Sequence, residues 1–262
     1  MKILVLGHKG MLGRTVTAYL STLLNHTIIT TDTRFGNADF TDALTATDAD
    51  YIINCIGKIP QKKPATDADY TFLNTDLPRF LETLGKPVIH PSTDCEFKGD
   101  IKPGQAYSKS DQRDADDVYG MSKANISAEI ENSFKNTKII RTSIIGHEET
   151  TALSLLDWFL NQNITTRGYT NHYWNGITTL QWAKLCQDLI ENWDTYPTLN
   201  QFGTTLHHSK FDVLTMVKNI YHKEIEIVPF ETEITVNKCL VSDTEIPTLA
   251  LQLTELKEFS QK

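Results

Sequence analysis

The reading of the fold rests on Lys2-Ile3-Leu4-Val5-Leu6-Gly7-His8-Lys9-Gly10-Met11-Leu12-Gly13. The run at 3–6 is apolar with no polar alternation, as in a strand buried on both faces of a parallel sheet. Glycines follow at positions 7, 10 and 13. Residues 14–24 then read as a helix, with Val16, Tyr19, Leu20, Leu23 and Leu24 forming one apolar stripe. Strand, glycine turn and helix in this order is the context that a dinucleotide fingerprint needs. Glycine lets the backbone turn tightly and approach a pyrophosphate, which rests on the helix N-terminus. The spacing is G-x-x-G-x-x-G rather than G-x-G-x-x-G, and a tight β-α turn without a ligand is the competing reading.

Working outward, residues 27–31 form a second β-branched run that ends at Asp32. An acid at that strand end is placed to hold a ribose 2′-hydroxyl, whereas Lys9 and Arg34 would meet a 2′-phosphate, so NADH and NADPH both remain open. Residues 50–56 predict a third buried strand, 70–84 a helix and 86–90 a further strand. That strand runs into Pro91-Ser92-Thr93-Asp94-Cys95-Glu96-Phe97, which places Ser92, Thr93 and Asp94 at a ligand-facing strand end. After a polar stretch at 98–117, a helix is expected from Tyr119 to about residue 134, and a strand at 138–144. This alternation predicts an α/β protein with a Rossmann-type doubly wound parallel sheet. Beyond it the pattern changes. Helices are expected at 153–160, 180–193, 211–221 and 248–259, a strand at 224–228, and a polar aromatic loop at 168–176 containing Tyr173, Trp174 and Asn175. The division drawn is a dinucleotide-binding domain at 1–147 and a smaller, mainly substrate-binding C-terminal lobe at 148–262, parts of which are free to return to the first domain.

Tyr119-Gly120-Met121-Ser122-Lys123 carries the chemistry. Four-residue spacing puts the phenol and the ammonium on one helix face. An ordinary tyrosine titrates at ~10 and a lysine at ~10.4. The cation favours phenolate, and a phenol tuned in this way is a general acid or base. Composition narrows the setting. With 40% hydrophobic and 22% charged residues, the chain fits a globular protein with a sizeable core. The net charge of −8 argues against nucleic acid and anionic membranes as partners. The opening apolar run is too short for a signal peptide or a membrane span, and a cytoplasmic location is expected. The four cysteines form no C-x-x-C pair, and the adjacent His207-His208 lacks a third ligand, so no metal site is expected.

Taken together, the motifs resemble those of an extended short-chain dehydrogenase/reductase, most similar to the dTDP-4-dehydrorhamnose reductase family. They are G-x-x-G-M-L-G at Gly7 to Gly13, D-F-T-D from Asp39, I-N-C-I-G from Ile53, S-T-D-C-E-F-K-G from Ser92, Y-G-M-S-K from Tyr119 and R-T-S from Arg141. The resemblance implies that Tyr119 protonates a carbonyl oxygen as hydride arrives. Lys123 would hold the nicotinamide ribose and lower the tyrosine pKa, and Thr93 would bind the same substrate oxygen. Gly7, Gly10, Met11, Leu12 and Gly13 would line the pyrophosphate turn, with Asp39 and Phe40 beside adenine and Asn54, Cys55 and Ile56 along the cofactor. The implied substrate is a nucleotide-linked 4-keto-6-deoxy sugar facing Thr93, Asp94, Cys95 and the 173–175 segment, and a homodimer is the assembly considered. Cys95, Glu96 and Ile144-Ile145-Gly146 depart from the family pattern on the substrate side. An epimerase using Cys95 and His172, and a non-catalytic dinucleotide-binding regulatory subunit, stand as alternatives. A dehydratase would want an Asp-Glu pair, and Asp94 is followed by cysteine.

Overall fold

In a computed structural model, which describes residues 1–148 and 151–261, the opening run is a strand with partners on both sides. The first half of the chain is β1 (Lys2–Leu6), α1 (Met11–Ser21), β2 (Thr27–Thr30), α2 (Ala38–Thr45), β3 (Tyr51–Asn54), α3 (Asp67–Tyr70), α4 (Leu77–Thr83), β4 (Val88–Ser92), α5 (Val118–Ser133) and β5 (Thr137–Arg141). The second half is β6 (Ile144–Ile145), α6 (Leu155–Leu160), β7 (Thr165–Tyr169), β8 (His172–Trp174), β9 (Ile177–Thr178), α7 (Thr179–Glu191), β10 (Leu199–Gln201), β11 (His208–Ser209), α8 (Lys210–Tyr221), β12 (Glu226–Phe230), β13 (Val236–Asn237) and α9 (Leu249–Ser260).

Side chains alternate across β1, and both faces are covered. Ile3 and Val5 join one core with Leu12, Val16 and Leu20, which lie four apart on α1. Leu4 and Leu6 join a second core with Phe40 and Leu44 of α2 and Leu77 and Leu81 of α4. Burial of each such aliphatic side chain contributes on the order of 1.5–3 kcal/mol. The main sheet has the order β10-β5-β4-β3-β1-β2, every pair parallel. From β1 the chain moves outward to β2 and then returns to β3 on the opposite side. The connections that leave the carboxyl ends of the paired β1 and β3 therefore run in opposite directions, and this switch point opens a crevice.

Three features differ from the sequence expectation. The predicted helix at 70–84 is composite: α3 passes through a π-helical turn, Thr71–Asp76, into α4. Pro78 has no N–H to give to the carbonyl four residues earlier, and the preceding turn widens. The 168–176 segment is largely strand: β7 pairs with β12, and β8 lies between β11 and β13. These short strands are defined by distant partners, so local alternation does not announce them. β10 was not anticipated at all; it extends the main sheet beyond β5, with Leu199 opposite Ile139. α7 likewise returns to the first core, where Trp182, Ala183, Cys186 and Leu189 pack with Val16 and Leu20 of α1. Phe159, Trp174, Val213 and Leu253 belong to a separate core in the C-terminal part. Among the described residues, no helix is long and apolar enough to cross a membrane.

Candidate active site

The crevice at the switch point measures about 330 Å³, and Gly7, Lys9, Gly10, Asp32, Arg34 and Ile56 are among its walls. Gly7 adopts a φ of +74°, the left-handed region that favours glycine. A Cβ on Gly13 would lie 2.3 Å from the Gly7 carbonyl oxygen, so only glycine lets α1 press this closely on the turn. Leu12, beside it, is turned into the core. The N-terminus of α1 has no side-chain cap and no acid in its first turn. Its leading N–H groups, from Met11 onward, are therefore free of side-chain acceptors at the positive end of the helix, which is what a bound pyrophosphate requires. At the end of β2, Lys9 Nζ lies 2.6 Å from Asp32 Oδ1 and His8 Nε2 lies 3.5 Å from it. The Lys9 hydrogen bond and charge hold the Asp32 carboxyl below the usual carboxylate range. Arg34 has no ion pair among the described residues.

At the end of β3, Asn54 is fully buried. Its amide donates to His90 Nδ1 at 3.2 Å and its carbonyl accepts the Ile56 N–H at 3.0 Å, shaping the turn that carries Cys55 and Ile56 to the crevice. Burial pushes the Cys55 thiol up. The two residues expected beside adenine lie apart from the crevice wall. Phe40 is fully buried with its ring 5.6 Å from Phe35 and 6.0 Å from Phe80, and Asp39 is exposed at the start of α2.

Thr93 follows β4 and caps a 3₁₀ turn, Asp94–Glu96. Its Oγ1 accepts the Cys95 N–H at 3.1 Å and donates to Asp94 Oδ1 at 3.0 Å. Tyr119 lies in the first turn of α5, where Asp117 caps the helix by accepting the Gly120 N–H at 2.9 Å. A Cβ on Gly120 would fall 2.3 Å from the Cys95 carbonyl oxygen. Glycine there lets α5 sit directly on the turn after β4, which brings Tyr119 to Thr93. Burial raises the Tyr119 phenol, Cys95, Asp94 and Asp117 add to the effect, and a hydrogen bond with the Thr93 hydroxyl opposes it.

This corrects the expectation that Lys123 lowers the phenol. Lys123 is only 5% exposed, and its Nζ donates to the Pro91 carbonyl at 3.2 Å. Its charge is not among the influences on Tyr119, because removal from water outweighs a cation directed elsewhere. The same burial lowers Lys123 itself to about 8, against the pull of Glu96. Gly57 keeps the space beside the ammonium free, since a Cβ there would lie 3.7 Å from Nζ.

Glu96, which the sequence showed only as a departure, is the centre of a buried ionic cluster beneath the turn. It and Arg141 are each 0% exposed. Glu96 Oε2 accepts from Arg113 Nε and Arg141 Nη2, both at 2.6 Å. Oε1 accepts from Ser127 Oγ at 2.6 Å and from Ser92 Oγ. Arg141 also donates to Gln201 Oε1 at 3.0 Å. The turn bearing Thr93 is thus pinned to β4, α5, β5 and β10 at once. A carboxylate placed where the pattern asks for an aliphatic residue, together with an arginine inside a strand, was the available signal, because each needs a partner.

On the substrate side, burial pushes the Cys95 thiol up to about 12, with Asp94 adding to the effect. Asn175 donates to the carbonyls of Thr204 at 2.9 Å and Leu240 at 2.8 Å, and accepts the Leu240 N–H at 2.9 Å. Its side chain is spent on tying the C-terminal part together. Trp174 is 4% exposed and packs in that core, while Tyr173 is half-buried. The sequence reading missed Lys210, whose Nζ lies 5.4 Å above the Trp174 ring. Burial lowers its pKa, against the pull of nearby Asp94 and Cys95.

Comparison with known proteins agrees with this layout. A dTDP-4-dehydrorhamnose reductase from Clostridium acetobutylicum is similar over 100% of both chains, with 18% identity and a TM-score of 0.83. The Bacillus anthracis dTDP-4-dehydrorhamnose reductase, solved with NADP, is similar over 98% of both chains, with 15% identity and a TM-score of 0.82. A UDP-glucuronic acid 4-epimerase variant from Bacillus cereus, solved with a fluorinated UDP-glucuronic acid and NAD, shares 14% identity over 100% of this chain and 99% of its own, with a TM-score of 0.75. At these identities the likeness establishes the fold. No curated protein matches in sequence. The model of the RmlD substrate binding domain family matches residues 1–155, more than half of the chain, and the chain belongs to that family.

Proposed function

We propose that this chain is an NAD(P)H-dependent reductase of a nucleotide-linked 4-keto-6-deoxy sugar, working in the cytoplasm. The observation that carries the reading is the convergence of Thr93, Tyr119 and Lys123 beside a glycine cradle with an uncapped helix N-terminus. The cradle fits a dinucleotide: Gly7, Gly10 and the first turn of α1 would hold the pyrophosphate, and Asp32, Lys9 and Arg34 would line the adenosine ribose. Lys123 uses one of its three donors on Pro91, leaving two for a ribose hydroxyl. When bound, a reduced nicotinamide supplies the hydride that converts a planar carbonyl carbon to a secondary alcohol. Tyr119 delivers the accompanying proton to the carbonyl oxygen. Its raised pKa keeps the phenol protonated at neutral pH, the state a general acid must start from. Thr93, whose hydroxyl shares a hydrogen bond with the phenol, would orient the same oxygen by turning its proton from Asp94.

The epimerase reading loses support from the same geometry. A Cys95 thiol pushed up to about 12 holds its proton at neutral pH and makes a poor base. His172 is committed to Thr232 Oγ1 at 2.9 Å and stacked on Tyr169. The decisive experiment mixes the protein with NADPH or NADH and a panel of nucleotide-linked 4-keto-6-deoxy sugars, following the nicotinamide absorbance. Stoichiometric oxidation with one sugar is expected. Tight cofactor binding with no change in any sugar would instead favour a regulatory, non-catalytic subunit.

A further inference from the structure

Lys9 and Arg34 are the cations in the lining of the crevice and Asp32 is the acid, with His8 beside them. Register brings these residues together. Val5 of β1 lies opposite Thr30 of β2, so the glycine turn and residues 31–34 leave the sheet side by side. Thr31 Oγ1 accepts the Thr33 N–H at 3.2 Å and the two threonine hydroxyls meet at 2.8 Å, which fixes the turn that carries Asp32 and Arg34 into the wall. An acid at the end of β2 ordinarily accepts a ribose 2′-hydroxyl. Here Asp32 Oδ1 is already taken by Lys9 Nζ at 2.6 Å, with His8 Nε2 3.5 Å from the same oxygen. The side chains of Lys9 and Asp32 are 71% and 69% exposed, and an ion pair in that much water is weak, so the ammonium is not locked onto the acid. It has three donors, and can keep Asp32 on one while giving the others to a second anion. Arg34, with no ion pair among the described residues, brings a planar fork of donors to the same crevice. A neutral hydroxyl makes little use of two cations, whereas a phosphate monoester brings about −1.5 to −2 charges at neutral pH. The chain as a whole carries −8, so a cationic mouth is not a consequence of its composition.

We infer that this mouth selects a dinucleotide bearing a 2′-phosphate: Lys9 and Arg34 bind the phosphate, and Asp32 serves as the counter-ion of Lys9 rather than as the acceptor of a ribose hydroxyl. The inference rests on the reading of the crevice as the cofactor site and names which of the two dinucleotides it takes. The test needs no turnover. The full chain is titrated calorimetrically with 2′,5′-ADP and with ADP, which differ by the 2′-phosphate alone, and the preference is the ratio of the two affinities. Wild type is expected to bind 2′,5′-ADP about 10- to 100-fold more tightly, the worth of one or two charge-assisted hydrogen bonds. Lys9→Met and Arg34→Met, both at exposed positions where folding is not at stake, each reduce that preference about 3- to 10-fold, with ADP affinity moving little. Lys9→Arg retains most of it. Asp32→Asn changes ADP affinity by less than about twofold, because the acid is spent on Lys9. Raising salt shrinks the wild-type preference, since both cations face water. Equal affinity of wild type for the two probes, or a preference that survives both methionine variants, overturns the inference and leaves the reductase reading intact. A loss of about tenfold or more in ADP affinity in Asp32→Asn overturns it as well, because the acid would then be holding the ribose hydroxyl. A wild type that binds neither probe, nor NADPH or NADH, overturns the functional reading, and this inference with it.

Discussion

Replacing Glu96 by glutamine tests the ionic cluster beneath the catalytic turn. The carboxylate receives four donors, from Ser92, Ser127, Arg113 and Arg141. Glutamine retains one oxygen, and its amide must point at donors. The serine hydroxyls can rotate to accept, so the amide turns toward them and the oxygen toward the arginines. Arg113 keeps Glu131 and is 19% exposed, so it loses little. Arg141 is 0% exposed, is left with neutral acceptors alone, the Gln201 carbonyl and the new amide oxygen, and has a buried Nε without a partner. Removing one partner from a buried pair costs about 3–5 kcal/mol, and the retained oxygen argues for about 3. For a chain of this size that corresponds to a fall in Tm of about 6–12 °C. Urea and thermal unfolding followed by circular dichroism measure it. A loss below about 1 kcal/mol would refute the account, because it would mean that water or another acid reaches Arg141. The double variant Glu96→Leu with Arg141→Met removes both charges and is expected to recover most of the loss.

Tyr119→Phe should leave NADPH affinity nearly unchanged and lower turnover by roughly two to four powers of ten, the worth of a placed general acid; unchanged turnover removes the phenol from that role. Lys123 is lowered to about 8, so raising pH through that value discharges it. NADPH affinity of the free enzyme is expected to weaken above about pH 8, and a flat fluorescence titration to high pH would contradict this. The same shift has a stability consequence of opposite sign: between about 8 and 10.5 the unfolded chain binds a proton that the folded chain does not, so this residue favours folding increasingly across that window. Gly13→Ala puts a methyl group 2.3 Å from the Gly7 carbonyl oxygen. It should cost about 1–3 kcal/mol through backbone displacement and weaken NADPH binding, read by melting and titration; no change in either would show that the turn can yield.

Much of this was readable along the chain. The apolar run at β1, the glycines at 7, 10 and 13 and the amphipathic α1 are local features. Periodicity of two against 3.6, and residues able to take positive φ, are set by neighbours in sequence. The spacing of Tyr119 and Lys123 on one turn is likewise a local property of a helix. What tertiary structure decided was environment and long-range pairing. Phe40 and Asp39 are adjacent in sequence, yet one is in the core and the other at the surface, because a helix divides its residues between faces. The strand character of β8 and β10 arises from partners far away in the chain. The direction of the Tyr119 pKa depends on burial against the turn after β4, which no spacing rule contains. Glu96 with Arg141, and Lys210 over Trp174, meet only when residues 45 and 36 positions apart are folded together. Charge in a protein acts over ångströms of space and through the water that surrounds it, and neither quantity is written in the order of the residues.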